Sequence, residues 1–213
     1  MQGITTATAI ACRGNHSLAL LADGTVRAWG WNDAGQLGDG TNTTRSAPVV
    51  VAGLGNVIAI AAGQDFSLAL RSDGSVWAWG SNVNGKLGDG NTLNRLAPVA
   101  TLLTSQITAI AAGSMNALAL RSDGVVLSWG INETGQLGSG SLSPGFRPQP
   151  GAVTGLTGVT AIAFGTGSFG HGLALRSDGT LWAWGHNNAG QLGSGSTALF
   201  SATPAQVSGL NLN

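Results

Sequence analysis

The stretch WGWNDAGQLGDG, residues 29–40, places four glycines and an asparagine next to two tryptophans. Related stretches recur at three further places: WGSNVNGKLGDG from Trp79, WGINETGQLGSG from Trp129 and WGHNNAGQLGSG from Trp184. The successive spacings are 50, 50 and 55 residues. A period of this length is typical of repeat architectures, in which each supersecondary unit is covered by its neighbours. The sequence therefore predicts four copies of one unit.

The composition excludes several kinds of partner and site. Nine basic residues balance nine acidic ones, and charged residues make up only 8% of the 213-residue chain. A neutral chain has no long-range field to concentrate phosphates, so we expect neither nucleic acid nor a membrane surface as a partner. Because Cys12 is the only cysteine, no disulfide framework or thiolate metal site can form within one chain. We find no apolar run of about 20 residues that would span a membrane and no signal-peptide pattern, and the compartment stays unknown.

Residues 57–101 show how one repeat is built. The β-prone runs VIAIAAG, FSLALRS and SVWAWG follow one another, and Asp73-Gly74 joins the last two. Two such runs joined by Asp-Gly are a strong hairpin signal, and we expect a type I′ turn with positive φ at both central residues. The same dipeptide recurs at 23–24, 123–124 and 178–179. The four aspartates are accordingly assigned to turns rather than to chemistry.

A loop pattern and a further strand follow each Trp-Gly pair. The asparagine is placed to bond its own backbone in an Asx-type turn, and the glycine after it is expected at positive φ. A proline then opens a fourth β-prone run, as in PVVV from Pro48, which suits an edge strand. The positions to which we assign structural roles are Trp29, Trp79, Trp129, Trp184, Asn32, Asn82, Asn132, Asn187, Gly35, Gly85, Gly135 and Gly190.

The strands predict an all-β fold whose sheets are covered on both sides. In SLALRS and VWAWG, alternate residues leave no clearly polar face. Small four-stranded antiparallel sheets stacked radially satisfy this requirement, because each sheet covers the next. We therefore predict a β-propeller in which the repeated tryptophan lies as a slab between adjacent blades.

The pattern LALRSDGxVWAWGxNxxGQLGxG resembles the repeat of the regulator of chromosome condensation family. The resemblance extends over nearly the whole chain and implies a β-propeller, typically of seven blades. The chain departs from the family pattern at the position before SLAL, where histidine is frequent in the family and His16, Phe66, Asn116 and His171 stand here. It also has four repeats rather than seven, which leaves the closed architecture open.

The ends of the chain predict how a ring would close. We treat residues 1–213 as a single propeller unit with repeats 1–47 plus 204–213, 48–97, 98–149 and 150–203. In this division the C-terminal strand completes the N-terminal blade, either in cis or by exchange in a dimer. Three arrangements remain open: four blades closed in one chain, a homodimer forming an eight-bladed ring, and part of a longer propeller.

A search for chemistry finds no catalytic, metal or cofactor site in the sequence. His16 and His171 occupy the same repeat position, which suits a bond to strand backbone, and His186 has no ligands at matched spacing. No carboxylate pair, phosphate loop or serine elbow with its partners is readable. We expect that the protein is not an enzyme.

Differences between the repeats indicate a binding face. The residue after each Trp-Gly pair and its neighbours vary in type, which leaves Trp31, Val83, Ile131 and His186 in loops at equivalent ends of the blades. Extra residues near Phe146, Arg147 and Phe169 add to this set, because insertions in repeats map to loops. We predict that the first four residues gather on one face as a patch for a protein partner, in which aromatic residues are enriched, and that the last three are further candidates for partner binding.

Four functions are compatible with this sequence. The first is a non-catalytic scaffold that binds proteins through one loop face. The resemblance implies two others, a guanine-nucleotide exchange factor for a small GTPase and a proteinaceous enzyme inhibitor. The fourth is an amplified or engineered propeller with no evolved partner, which the close similarity of the repeats suggests.

Overall fold

A computed structural model describes residues 4–165, 167 and 169–209. These residues form sixteen strands in four antiparallel sheets, and each sheet, or blade, has four strands in chain order. Blade 1 contains β1 (Ala7–Arg13), β2 (His16–Leu21), β3 (Val26–Gly30) and β4 (Arg45–Val50); blade 2 contains β5 (Val57–Ala62), β6 (Phe66–Arg71), β7 (Val76–Gly80) and β8 (Arg95–Ala100). Blade 3 contains β9 (Ile107–Ala112), β10 (Asn116–Arg121), β11 (Val126–Ile131) and β12 (Phe146–Ala152); blade 4 contains β13 (Val159–Phe164), β14 (His171–Arg176), β15 (Leu181–His186) and β16 (Phe200–Gln206). The predicted all-β fold of four-stranded antiparallel blades is confirmed.

The division of the chain into blades differs from the predicted one. The strand that carries Pro48 is β4, which pairs with β3 of the same blade and does not open the next one. Likewise Pro204 lies in β16, which pairs with β15, so the prediction that residues 204–213 complete blade 1 is wrong. Residues 210–213 of that segment lie outside the described part. The long loop after the third strand turns the chain back along its own sheet, whereas the short link after the fourth strand leads to the next blade.

The Asp-Gly hairpins form with a different turn from the predicted type I′. Gly24 has a φ of 75°, but Asp23 is not among the residues at positive φ. Gly24 N donates to Leu21 O at 3.0 Å and Leu21 N donates to Thr25 O at 2.9 Å. This is the three-residue loop of a type I turn followed by a left-handed glycine bulge, and it recurs at Gly74, Gly124 and Gly179. Asp23 Oδ1 accepts from Thr25 N at 2.9 Å and so holds the turn from its own side chain.

Each blade has two faces, which we call the rear face, toward the preceding blade, and the forward face, toward the next. The forward face of blade 1 contributes Leu18, Leu20 and Val26 to a buried cluster that includes Ala69 and Trp79 from the rear face of blade 2. Equivalent clusters join blade 2 to blade 3 and blade 3 to blade 4. The apolar character of both faces is explained, because each interior face is half of an interblade core.

The tryptophans lie between blades as predicted, with one exception. Trp79, Trp129 and Trp184 are fully buried, and the indole Nε1 of each donates to a backbone carbonyl of the preceding blade. These bonds run to Gln36 O at 2.9 Å, Lys86 O at 2.9 Å and Gln136 O at 3.0 Å. Trp29 is only half-buried, because no blade precedes it in the described chain.

The four blades form an open arc around an axis. The first strands of consecutive blades contact one another, so they lie innermost. Arg13 reaches from blade 1 to blade 3, where its guanidinium donates to Ser114 Oγ at 2.9 Å and to Ala112 O at 3.3 Å. Within the described residues, no strand of blade 4 packs extensively on blade 1. The described residues thus leave the four blades as an open arc and do not close them into a ring within one chain.

Candidate protein-interaction face

Two kinds of connection lie at the same edge of every blade, because the strands alternate in direction. They are the turn between the first and second strands and the long loop between the third and fourth strands. We call this edge of the arc the loop face; in blade 1 it comprises residues 14–15 and 31–44. In the other blades it comprises 63–65, 81–94, 113–115, 132–145, 169–170 and 187–199. The opposite edge, which carries the Asp-Gly turns, is the hairpin face.

The repeated asparagine holds each long loop in shape. Asn32 Oδ1 accepts from Leu37 N at 2.9 Å, while Asn32 Nδ2 donates to Thr41 O at 3.0 Å and Thr43 O at 3.1 Å. The predicted Asx-type turn, which bonds the backbone two residues further on, is therefore replaced by a bridge across the whole loop. Asn82, Asn132 and Asn187 bridge their loops in the same way. All four side chains are buried, so these loops are built as rigid supports.

The first three loops also rest on the blade that follows. Gly35 has a φ of 87°, and a Cβ placed on it would lie 2.7 Å from Leu96 Cα in β8. Gly40 N donates to Leu96 O at 3.0 Å, and the equivalent bonds join Gly90 to Pro148 and Gly140 to Ala202. In blade 4 a Cβ on Gly190 would meet no atom within 4 Å. The predicted positive φ of the loop glycines is confirmed, and in three blades a close backbone approach also excludes a side chain.

Ion pairs inside the loops stabilise the same shape. Arg45 lies 2.8 Å from Asp39 and Arg95 lies 2.8 Å from Asp89, and both carboxylates are nearly buried. Burial opposes the ionisation of Asp39, but hydrogen bonds from Thr41, Arg45 and Asn32 outweigh it, and the pKa of the carboxyl is lowered. Both aspartates are therefore structural acids rather than free ligands.

Trp31 is an exposed aromatic residue of the loop face, beside the turn between β1 and β2. Its side chain is 48% exposed, and its backbone N donates to Asn15 O at 2.8 Å. Beside it lies a cavity of about 140 Å³, which is also lined by Gly14, Asn15, Gln36, Gln64 and Asp65. Asp65 forms an ion pair with the buried Lys86 ammonium. An exposed indole next to a polar recess at a blade junction is suited to receive a side chain of a partner.

The other predicted binding residues are distributed over separate blades. Val83 is 56% exposed in a short 3-10 turn (Val83–Gly85) of the blade 2 loop. Ile131 is buried at 8% exposure, so the expectation that it lies free in a loop is wrong. In blade 3 the third strand extends one residue further than in blade 1, and Ile131 pairs with Phe146 of β12. Phe146 itself is 40% exposed.

In blade 4 two predicted residues lie together. The rings of Phe169 and His186 are 5.1 Å apart, and His186 pairs across the sheet with Phe200. Phe169 and Phe200 are exposed, whereas His186 is half-buried. Arg147 is used inside its own blade, because its guanidinium donates to Ser128 O and Gly151 O at 2.9 Å each, and burial lowers its pKa.

Several exposed apolar residues of the loop face are not predicted by the repeat motif. Leu93, Leu142, Leu199 and Phe200 lie in or directly after the polar ends of the long loops, and each is at least 37% exposed. Their signal was present as single apolar residues among Thr, Ser and Asn. The repeat motif around the Trp-Gly pair does not include these residues, because they lie ten or more residues after it.

The buried histidine of blade 1 has a structural role. His16 Nε2 lies 3.0 Å from Ser67 Oγ in the next blade, and that hydroxyl donates to Gln36 O at 2.9 Å. Burial lowers the pKa of His16 to about 4, although the charge of Asp65 acts in the opposite direction. Across the described residues, no group of three or more His, Cys, Asp or Glu side chains is placed to hold a metal ion. The part of the chain that the structure describes also contains no helix that is both long and apolar enough to cross a membrane.

Known proteins share this arrangement of blades. Human WBSCR16 is 26% identical, with a TM-score of 0.81 over 92% of this chain and 50% of that one. Prp20p from Saccharomyces cerevisiae is 24% identical, with a TM-score of 0.82 over 97% of this chain and 51% of that one. The chain thus spans about half the length of these two structures.

A sequence match of higher identity covers one repeat only. The secretion-regulating guanine nucleotide exchange factor of Bos taurus is 45% identical over 51 residues, which are 24% of this chain and 11% of that protein. The family model of the RCC1-like domain matches residues 2–212, almost the whole chain. The repeats, the four antiparallel blades and this match together show that the chain belongs to the RCC1-like domain family.

Proposed function

We propose that the protein is a non-catalytic propeller scaffold that binds another protein through its loop face, with Trp31 as an anchor. The observation that carries the proposal is the distribution of exposed aromatic side chains. Among the described residues, the Trp and Phe side chains with at least 40% exposure all lie on the loop face or at its border, namely Trp31, Phe146, Phe169 and Phe200. Aromatic residues are the side chains most enriched at protein interfaces and at their energetic hot spots.

The two edges of the arc differ in a way that favours the loop face. The hairpin face presents the exposed pairs Arg71–Asp73, Arg121–Asp123 and Arg176–Asp178. Exposed charged pairs keep their water and add little to an interface core. Exposed aliphatic residues occur at both edges, for example Ile58 near the hairpin face, but the exposed aromatic side chains lie at the loop face. The loops there are made rigid by the asparagine bridges, so little ordering of the loops is needed when a partner binds.

The relatives support a protein partner in general terms. Prp20p has been characterised for its binding to Gsp1p and histones, and the yeast RCC1 protein has been crystallised with Kap60. These are properties of those proteins, of which this chain spans about half. They support the use of an RCC1-like propeller as a protein-binding surface and leave the identity of the partner to experiment.

The test compares two substitutions of similarly exposed residues. Trp31→Ala removes the indole on the loop face, and Ile58→Ala changes a residue that is 56% exposed near the hairpin face. Both proteins are first checked for an unchanged circular dichroism spectrum and melting temperature, and are then used as bait against the proteome of the source cell. We expect a partner that is retained by Ile58→Ala and lost, or weakened by roughly 30-fold or more, in Trp31→Ala. Equal recovery by both variants would contradict the proposal.

One observation favours a second candidate function, guanine-nucleotide exchange. It is the 51-residue match to the secretion-regulating exchange factor. Release of labelled nucleotide from a panel of small GTPases, with and without the protein, separates the two functions. We expect no acceleration, because the match covers only one repeat; acceleration that is lost in Trp31→Ala would replace the scaffold proposal by exchange activity at the same face.

A further inference from the structure

The two ends of the arc expose the two halves of an interblade junction. On the rear face of blade 1, Ile10 is 80% exposed and Trp29 is only half-buried. On the forward face of blade 4, Leu173, Leu175 and Leu181 are half-buried. Their counterparts at the interior junctions, for example Trp79 on a rear face and Leu68 on a forward face, are fully buried. Among the described residues, no blade covers these positions at either end of the arc.

The hydrogen-bonding groups at the two ends are complementary as well. At the three interior junctions the indole of the rear face donates to the carbonyl of Gln36, Lys86 or Gln136. In the described structure, Trp29 Nε1 has no partner and Gln191 O, the fourth such carbonyl, receives no hydrogen bond. The unused donor lies at one end of the arc and the unused acceptor at the other.

One pair of facing positions, both on the second strands of adjacent blades, is occupied by different residue types at each junction. At the first junction, His16 is the first residue of β2 in blade 1 and Ser67 is the second residue of β6 in blade 2. Their side chains, His16 Nε2 and Ser67 Oγ, lie 3.0 Å apart. At the next two junctions the corresponding positions are occupied by Phe66 with Ala117 and by Asn116 with Gly172. The residues left over at the ends are His171 and Ser17, which repeat the histidine–serine combination of the first junction.

We propose that a second copy of this chain covers the ends of the arc, with the forward face of blade 4 in one copy packed on the rear face of blade 1 in the other. Trp29 then donates to Gln191 O, and His171 pairs with Ser17. The evidence for this occupant is continuity with the interior junctions, whose apolar residues, indole bond and histidine–serine pair the two ends reproduce. Such head-to-tail contacts close a ring when both junctions form between the same two copies. The proposal does not depend on the loop-face function.

The test introduces a negative charge into the apolar contact surface at one end of the arc at a time. Ile10→Glu disables the rear face of blade 1, and Leu173→Glu disables the forward face of blade 4; neither residue is fully buried in one copy. Ile58→Glu is the matched control, since it places the same charge at an exposed position away from both ends. Sedimentation equilibrium of the whole chain is expected to give a mass about twice the 21.2 kDa of one copy. The control keeps this mass, whereas Ile10→Glu and Leu173→Glu each give 21.2 kDa.

Mixing the two variants distinguishes a head-to-tail contact from other kinds of self-association. Each variant retains one intact face, so an equimolar mixture of Ile10→Glu and Leu173→Glu is expected to form one-to-one pairs through a single junction. The thiol of Cys12, exposed on the rear face two residues from Ile10, is expected to react more slowly in the unaltered assembly than in Ile10→Glu. A single-copy mass for the unaltered chain at 100 μM, an order of magnitude above a Kd of about 10 μM, would overturn the proposal. So would a dimer of Leu173→Glu alone, because that contact cannot be head-to-tail.

Discussion

Trp29 and Trp79 occupy the same motif position but lie in different surroundings. Trp79 is fully buried and its indole N–H donates to Gln36 O of the preceding blade. Trp29 is half-buried, and its indole N–H has no acceptor among the described residues. The local sequences around the two are nearly the same, RAWG and WAWG. The difference shows that the motif places the side chain on the rear face, while burial depends on whether a blade stands in front of that face.

Replacing each of the two tryptophans by alanine should destabilise the protein to very different extents. Trp79→Ala removes a fully buried ring and a buried hydrogen bond, for which we expect a loss of about 3–5 kcal/mol in the free energy of unfolding. Trp29→Ala removes a partly hydrated ring from the end of the array and should cost less than half as much. Urea unfolding at a protein concentration where only single copies are present measures both. Equal losses would mean that Trp29 is as well packed as Trp79.

The two histidines at one repeat position allow a second comparison. Burial lowers the pKa of His16 to about 4, from an ordinary value of 6.5. The unfolded chain therefore binds a proton between pH 6.5 and 4 that the native blade does not, so stability is full above pH 6.5 and falls as the pH decreases. The loss from this residue approaches about 3 kcal/mol near pH 4 and does not grow below it.

The repeat itself suggests a suitable substitution for His16, because Phe66 occupies the same position in blade 2. His16→Phe should flatten the dependence of the free energy of unfolding on pH between 6.5 and 4. His171, which is half-buried and whose pKa is lowered by burial and then by His186, should contribute a shallower dependence, removed by His171→Phe. An unchanged pH profile in His16→Phe would show that another group governs it.

The loop glycines of blades 1 and 4 should also differ in their tolerance of alanine, by a smaller free energy. Gly35 and Gly190 both have positive φ, at 87° and 76°, so alanine is strained by about 1 kcal/mol at either. Only at Gly35 does the new Cβ also meet backbone of the next blade, at 2.7 Å, which adds about 1–3 kcal/mol. Thermal unfolding of the two alanine variants measures the difference. A larger destabilisation by Gly190→Ala than by Gly35→Ala would contradict the described loop contacts.

Local patterns predicted much of the fold. The period of the tryptophans identified four units, the Asp-Gly dipeptides located the hairpins, and the apolar strands indicated sheets covered on both sides. The turn type was wrong because Asp-Gly suits both a type I′ turn and a type I turn with a glycine bulge, and these differ only in backbone angles. The blade boundary was wrong because the strand of Pro48 is compatible with pairing on either side, and only the lengths of the loops decide which sheet it joins.

The candidate site was predicted less completely than the fold. Trp31, Val83, Phe146 and Phe169 are exposed as expected. Ile131 is buried because one strand is a residue longer, and Arg147 bonds to its own blade. Such differences depend on hydrogen bonds between strands that are distant in sequence, which a comparison of repeats does not contain.

Local residue patterns specify the units of this protein: four repeats, each with strands, turns and loops that depend on residues only a few positions apart. Such features depend on backbone preferences and on the alternation of apolar side chains, which act locally. Tertiary structure decided which faces meet. Ile10 and Ile60 have the same repeat position, yet one is 80% exposed and the other half-buried, because burial is a property of two surfaces in contact and not of a residue in its motif.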